Sequence, residues 1–469
     1  MRSATVPLML VMAVTIVVFI PALSAGWVNW DDPGTLLEHD TWRGLGADEL
    51  AWMWTHAHMG HYTPLSWMTL ALDHVVWGMD PFGYHLTNVL LHGLSAGLFF
   101  LVLKRLLPEG AWLPAVLGAL LFSVHPLRVE SVAWVTERRD VLSMLLFSGS
   151  VLAWLRYAAD EGRHWFFVAL ALQALSLAAK AHAITLPVVL LVLDVWLERR
   201  GWGRLLLEKL PFLGLALLFG GLAIWAQAEG GALVGGSLTL AERLEMALHG
   251  AAFYPGKTLV PQGLSPLYEW DGAALPTATN ALVLLGITGL CAALWKRSRA
   301  PMVAWVLYLV LLSPVSGVAQ SGPQLVADRY SYFSCLPLAA LVCATLVGRR
   351  WAQGIGVVAV LGLGVLTWQQ CKVWTDSVSL WTHALDLEPE NEIVMAQLAR
   401  AHMELGEHGE AIALFEEALR VGPPRSQTIF MLGVAYGNAG KVEQARGAWL
   451  QIPPDAPEYA RAQQYLERL

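Results

Sequence analysis

Residues 111–158 read AWLPAVLGALLFSVHPLRVESVAWVTERRDVLSMLLFSGSVLAWLRYA. Two apolar runs, 111–124 and 141–158, enclose His125–Asp140, a segment that carries Arg128, Arg138 and Arg139 interleaved with Glu130, Glu137 and Asp140. Neither run has a polar face, so each predicts a helix buried on all sides, as a membrane span is. Ionisable groups at membrane depth cost about 2.5–3.5 kcal/mol each on insertion scales, so such a segment seldom persists without a role. At helical spacing Glu130 and Glu137 share a face and can pair with neighbouring arginines. Two readings stay open: a salt-bridged loop that orients two spans, and an anion pocket for a phosphate headgroup.

Outward from this hairpin the pattern repeats. The chain of 469 residues is 56% hydrophobic and only 14% charged, with mean hydropathy +0.50. That balance excludes an ordinary soluble enzyme and a disordered chain, and fits a polytopic membrane protein. Apolar runs at 5–25, 85–103, 111–124, 141–158, 165–179, 183–197, 210–228, 279–295, 301–317, 332–348 and 352–370 predict about eleven spans. The first is read as an uncleaved span, because long apolar runs follow it and no clean small-x-small cleavage site closes it. With the N-terminus in the cytoplasm, fourteen Lys and Arg fall in short inner loops and eight in the longer outer segments before residue 371. This asymmetry sets the orientation and places the C-terminus outside. Ala241–Val260 is read as an interfacial helix, and Ala47–His56 as amphipathic. A net charge of −7 leaves no basic footprint for nucleic acid.

From Lys372 onward charged residues return and a 34-residue period appears: Trp381, Phe415 and Trp449, then Ala384 and Ala418, Leu398 and Leu432, Gly406 and Gly440, Ala411 and Ala445. This is the tetratricopeptide pattern of paired helices. About two repeats and a closing helix at Glu458–Leu469 are present, so the stack is expected to lean on the last span or the outer loops. The expected domains are 1–370, spanning the membrane, and 371–469, carrying the repeats.

Other polar groups are candidates for chemistry. Asp31 and Asp32, just after the first span, are adjacent acids, a pattern that suits a general base or a divalent cation, or, as the turn Asp-Asp-Pro, a helix-capping or loop-solvating pair. His56, His58 and His61 have spacing that could ligate a metal, though Trp52 and Trp54 beside them favour an interfacial segment. Asp328–Arg329–Tyr330 reads as a local ion pair or a phosphate contact. Lys180 reads as a snorkelling cation or a headgroup contact. Asn88 and His92, one turn apart, read as an interhelical pair. Cys335 and Cys371 could lie near one membrane face, and their pairing would need close geometry. No glycine-rich phosphate loop, zinc-protease motif or nucleophile elbow is present.

The segments WDD at 30–32, YTPLSWMTLALDHVVWGMDPFGYHLTNVLLH at 62–92, HPLRVESVAWVTERRDVLS at 125–143, ADRYSY at 327–332 and VWTDSVSLWTHAL at 373–385 resemble the bacterial relatives of the TMTC proteins. Those are membrane proteins of the GT-C glycosyltransferase type with a tetratricopeptide tail. The resemblance implies an all-α polytopic bundle followed by a small α-solenoid, in a bacterial inner membrane. It also implies an inverting enzyme that takes a sugar, mannose, from a polyprenyl-phosphate carrier to an acceptor hydroxyl, on protein Ser or Thr, at the outer face. Asp32 or Asp31 would be the base, and Arg138, Arg128, Arg329, His125 and Lys180 would face the carrier phosphate. Glu130, Glu137, Asp140, Asp328 and Tyr62 would support them. No cofactor is required, although the paired aspartates could hold a divalent cation. The repeats would contact a protein acceptor. One departure from the relatives is Lys180–Ala181–His182, where many have Lys-Pro. Two rivals stand beside the enzyme: a membrane-anchored repeat scaffold without catalysis, and a flippase or polymerase of lipid-linked sugars, for which Asp194 is the main charge deep in a span.

Overall fold

The computed structural model describes residues 2–199, 201–230, 239–269, 276–318 and 324–468. Apolar helices of 11 to 28 residues occupy the predicted runs: Arg2–Val18, Pro81–Leu106, Trp112–Ser123, Arg138–Ala158, His164–Ala179, Leu186–Trp196, Trp202–Glu229, Thr277–Leu294, Ala300–Leu312, Leu336–Leu346 and Arg350–Val373. Among the described residues five helices are long and apolar enough to cross a membrane, and seven if each bent pair is one span. Four further apolar helices among the described residues, Ala4–Val18, His164–Ala179, Ala181–Trp196 and Ala300–Val315, are shorter than that. The protein is therefore an all-α, multi-pass membrane protein. Among the described residues its strands are one short antiparallel pairing, Tyr268–Glu269 with Gln324–Val326.

Burial separates the centre of the bundle from its rim. The most apolar stretches of Pro81–Leu106 and Val135–Ala158 are 61% and 67% buried, against 11% for Thr277–Leu294 and 17% for Arg350–Val373. The central helix approaches its neighbour closely because it carries glycine there. A Cβ on Gly93 would come within 3.0 Å of Ile16, and one on Gly97 within 3.0 Å of both Leu8 and Met12. Asp80 opens this helix by accepting the Phe82 N–H at 3.0 Å, with Pro81 in the first turn.

Three features were left open by the sequence. A helix at Pro64–Trp77 lies in the segment after the first span, where the only predicted element is Ala47–His56. His125–Asp140 is a buried chain of short helical turns. Cys335 and Cys371 are both free and buried, so the pairing considered for them does not form. Leu240–Leu259 is helical, opened by a reciprocal Thr239–Glu242 capping box.

The chain divides into two compact units. One comprises 1–25, 34–264 and 268–372; the other comprises 26–33, 265–267 and 373–469. In the second, helices Ser377–Leu387, Glu392–Glu404, His408–Val421, Ser426–Asn438, Val442–Trp449 and Tyr459–Leu466 build the repeats. The periodic positions form the core: Trp381, Ala384, Phe415, Ala411, Ala418, Ala445 and Trp449 are buried. Gly406 and Gly440 turn the chain at φ 78° and 74°, in the left-handed region that favours glycine.

Gly26–Pro33, expected within the membrane domain, groups with the repeats. The Gly26 N–H donates to the Thr375 carbonyl at 2.8 Å. Asn29 is buried and engaged at three points: its N–H donates to Ser377 Oγ at 2.9 Å, its Nδ2 to the Gln397 carbonyl at 3.1 Å, and its Oδ1 accepts from Trp381 Nε1 at 2.6 Å. Trp30 meets Trp381 edge-on at 5.2 Å. This segment gives the first repeat helix the support that a preceding repeat supplies inside an array.

Candidate functional site

The decisive segment is helical in pieces. A turn at Pro126–Arg128 leads into the helix Val129–Ala133, which stops at Trp134, whose ψ of 119° is extended. A second short turn, Val135–Glu137, leads into the long helix from Arg138. The break re-aims the acids that a continuous helix would stack on one face. They converge instead on residues from two distant segments, Arg329 and Lys180.

Glu130 pairs with the Arg329 guanidinium and also accepts the Arg329 backbone N–H at 2.7 Å. Glu137 accepts from Arg139 at 2.7 and 3.2 Å and from Lys180 at 3.0 Å, and Arg329 lies 3.5 Å away. Asp140 takes Lys180 at 2.6 Å and Ser131 Oγ at 3.0 Å. Three acids and three cations thus form one network. A network of this kind is tolerated at depth because each charge has an opposite neighbour and several hydrogen bonds. The side chains of Glu130, Glu137, Asp140 and Arg329 are all under 10% exposed, whereas Arg139 and Lys180 reach 12% and 20%. The two cations at its edge are therefore where the network can meet another anion.

The expected phosphate ligands sort differently. Arg138 turns into the interior, where its guanidinium meets Asp73 at 2.6 Å, the Tyr84 carbonyl at 2.9 Å and Asn88 Oδ1. Arg128 is also buried; it donates to the Ser331 carbonyl at 2.6 Å and Ser331 Oγ at 2.7 Å and lies over the Phe122 ring. His125 bonds the Thr258 carbonyl at 3.1 Å and accepts the Leu127 N–H at 3.2 Å. These three side chains tie spans together, each through protein partners of its own. Arg139 was only one of several interleaved charges in the sequence; nothing there separates it from Arg138. Asp328 accepts from the Tyr268 hydroxyl at 2.9 Å, and Tyr62 donates to the Trp54 carbonyl at 2.9 Å.

Beside Arg139 lies a cavity of about 30 Å³, lined by Thr35, His58, His61, Trp67, Thr136 and Arg139, among others. That is about one water's share of volume. Its roof is the turn at 58–61, in which the His58 and His61 backbones bond each other at 2.9 Å. Burial and then the Arg139 charge hold His61 well below its usual 6.5, so the ring is neutral at pH 7. His58 stacks on His39 at 4.3 Å and bonds the Gly34 carbonyl at 2.9 Å, while His56 bonds Thr55 at 2.9 Å. The three histidines bond separate partners. Among the described residues no group of three His, Cys, Asp or Glu side chains is arranged to hold a metal.

Asn88 and His92 both act between helices, but on separate partners. Asn88 Nδ2 donates to the Val132 carbonyl at 3.2 Å, and His92 bonds the Tyr332 hydroxyl at 2.6 Å. Asp194 is fully engaged by Trp154, Arg199 and Lys209. In the second unit Asp32 is buried and accepts the Val28 N–H at 3.0 Å, while Asp31 is partly exposed.

The tetratricopeptide repeat family profile matches residues 374–426 and 396–460. The chain is similar to the protein O-mannosyl-transferase TMTC2 of Mus musculus, 35% identical over 144 residues, which is 30% of this chain and 17% of that protein. It is also similar to TMTC1 of Homo sapiens, 25% identical over 440 residues, 79% of this chain and 49% of that protein. The matched part thus spans from a sixth to about half of these relatives' length. A solved structure, ArnT from Cupriavidus metallidurans bound to undecaprenyl phosphate, aligns over 96% of this chain and 81% of its own at 14% identity and a TM-score of 0.41. The chain is thus an all-α membrane protein with C-terminal tetratricopeptide repeats whose sequence relatives are TMTC O-mannosyl-transferases.

Proposed function

We propose that the protein is an inverting glycosyltransferase of the GT-C type. It moves a sugar, mannose, from a polyprenyl-phosphate carrier to an acceptor hydroxyl on protein Ser or Thr at the outer face of a bacterial inner membrane. The observation that carries this reading is the charge network at 130–140. It is anchored by Arg329, and only Arg139 and Lys180 stand at its edge, with Arg139 on a cavity lined by histidine, threonine and tryptophan. The named activity of the relatives supports the reaction class.

In the step, Asp32 or Asp31 takes the proton of the acceptor hydroxyl as its oxygen attacks the anomeric carbon. The bond from that carbon to the carrier phosphate oxygen breaks, and the phosphate leaves with the bonding electrons. Its growing negative charge is met by Arg139 and Lys180, already oriented by Glu137 and Asp140. These cations neutralise a monophosphate leaving group, so the step as written uses no metal. A cavity of this size must open before it takes a sugar. The repeats hold the acceptor protein.

The test is transfer from polyprenyl-phosphate mannose to a Ser/Thr-rich acceptor by the purified protein in lipid. Transfer lost in Asp32→Asn or Asp31→Asn, and weakened in Arg139→Ala, supports the enzyme. Transfer abolished by a chelator and restored by a divalent cation would instead place a metal at the paired aspartates. Equal transfer by all variants removes these residues from the step, and none by the folded wild type leaves the repeat scaffold as the function.

A further inference from the structure

We propose that the first repeat helix sets the position of the acidic pair, so that Trp381 and Ser377 are positioning residues of the transfer reaction. This rests on the reading of Asp31 or Asp32 as the base.

Asn29 stands two residues before Asp31, and every polar group it offers in that direction is taken by the repeats. Ser377 accepts its N–H, the Gln397 carbonyl accepts its amide and Trp381 donates to its carbonyl oxygen. Trp30 is held against the same indole. Between these anchors and Asp32 lie two residues, and Asp32 closes back on the segment through the Val28 N–H. A carboxylate so close to three fixed bonds has little freedom of its own. Its placement follows the helices Ser377–Leu387 and Glu392–Glu404.

The repeat period supplies a control within the same chain. Trp449 occupies the position 34 residues C-terminal to Phe415, as Phe415 does to Trp381. Its indole N–H donates to the Phe430 carbonyl at 3.1 Å, inside the array. Trp381 spends the equivalent donor on Asn29. Both rings are buried, but only one reaches the acidic segment.

The experiment measures kcat and donor KM for the full chain in lipid, with Trp381→Phe, Ser377→Ala, Ser377→Thr and the control Trp449→Phe. Trp381→Phe and Ser377→Ala should each lower kcat about tenfold, with donor KM unchanged and the acidic limb of the kcat–pH profile moved. Ser377→Thr keeps the hydroxyl and should restore the rate, and Trp449→Phe should stay within about twofold. Wild-type kcat and pH profile in Trp381→Phe and Ser377→Ala, or an equal fall in Trp449→Phe, would overturn the inference. Asp31→Asn and Asp32→Asn separate its failure from that of the reading of Asp31 or Asp32 as the base. If both acids are dispensable the reading itself falls; if one is essential while Trp381→Phe and Ser377→Ala are silent, only the positioning role falls.

Discussion

Arg138 and Asp73 form an ion pair at 2.6 Å with both side chains shielded from solvent, the guanidinium at 0% exposure and the carboxylate at 7%. The pair joins Pro64–Trp77 to the start of the long helix Arg138–Ala158. It fixes the first turn of that helix, and with it the direction in which the next residue, Arg139, points.

Removing one partner strands the other charge in the interior. Asp73→Ala should destabilise the protein by about 3–5 kcal/mol, seen as a large drop in thermal unfolding temperature in detergent. Replacing both, as Asp73→Leu with Arg138→Met, should recover much of that loss. If Arg138→Ala leaves stability unchanged and weakens donor binding alone, Arg138 faces the donor after all.

Arg139 is expected to behave in the opposite way. Arg139→Ala leaves Glu137 paired with Lys180, so the fold should persist while donor affinity falls. A charged hydrogen bond to phosphate is worth about 1.5–3 kcal/mol, roughly ten- to hundredfold. Arg139→Lys should keep part of the affinity, because it keeps the charge without the planar fork. Titration with a polyprenyl-phosphate sugar checks this.

Acid sensitivity should have an identifiable source. Burial, then the His58 and Arg43 charges, lower His39 from 6.5 to about 4. The unfolded chain therefore binds a proton that the folded chain refuses, and stability should fall as pH drops from 6.5 toward 4. His39→Gln removes that proton. Its unfolding temperature should decline less steeply over this window than that of the wild type.

The helix Trp202–Glu229 ends on Gly230, where a Cβ would meet the Gly60 nitrogen at 2.5 Å and its Cα at 2.7 Å. Both are backbone atoms of the turn over the cavity, so nothing flexible can yield. Gly230→Ala should cost about 1–3 kcal/mol of stability and alter donor binding. Gly364→Ala, whose Cβ would make an ordinary contact with Val18 at 3.4 Å, should do neither.

The spans were legible because a membrane helix writes its identity in one continuous apolar run, and the repeats because a fixed period places Trp381, Phe415 and Trp449 alike. The site was legible only as a neighbourhood. Arg138 and Arg139 are adjacent and chemically the same, and which of them turns inward depends on Asp73, an unremarked acid 65 residues earlier. The break at Trp134 has no proline or glycine to announce it. The grouping of Asn29 with the repeats joins residues 352 apart, a separation over which no local pattern carries information.

That separation also sets a timetable for biogenesis. A ribosome adds about 5–20 residues per second, so the 352 residues between Asn29 and Trp381 take roughly 20–70 s to appear. Throughout that interval the acidic segment has been made but the helices that seat it have not. Loop closure over such a length is slow relative to local helix formation. The segment carrying the proposed base is thus seated late, after the spans between it and the repeats have been synthesised, and a chain truncated before residue 381 would hold its charge network without a fixed base.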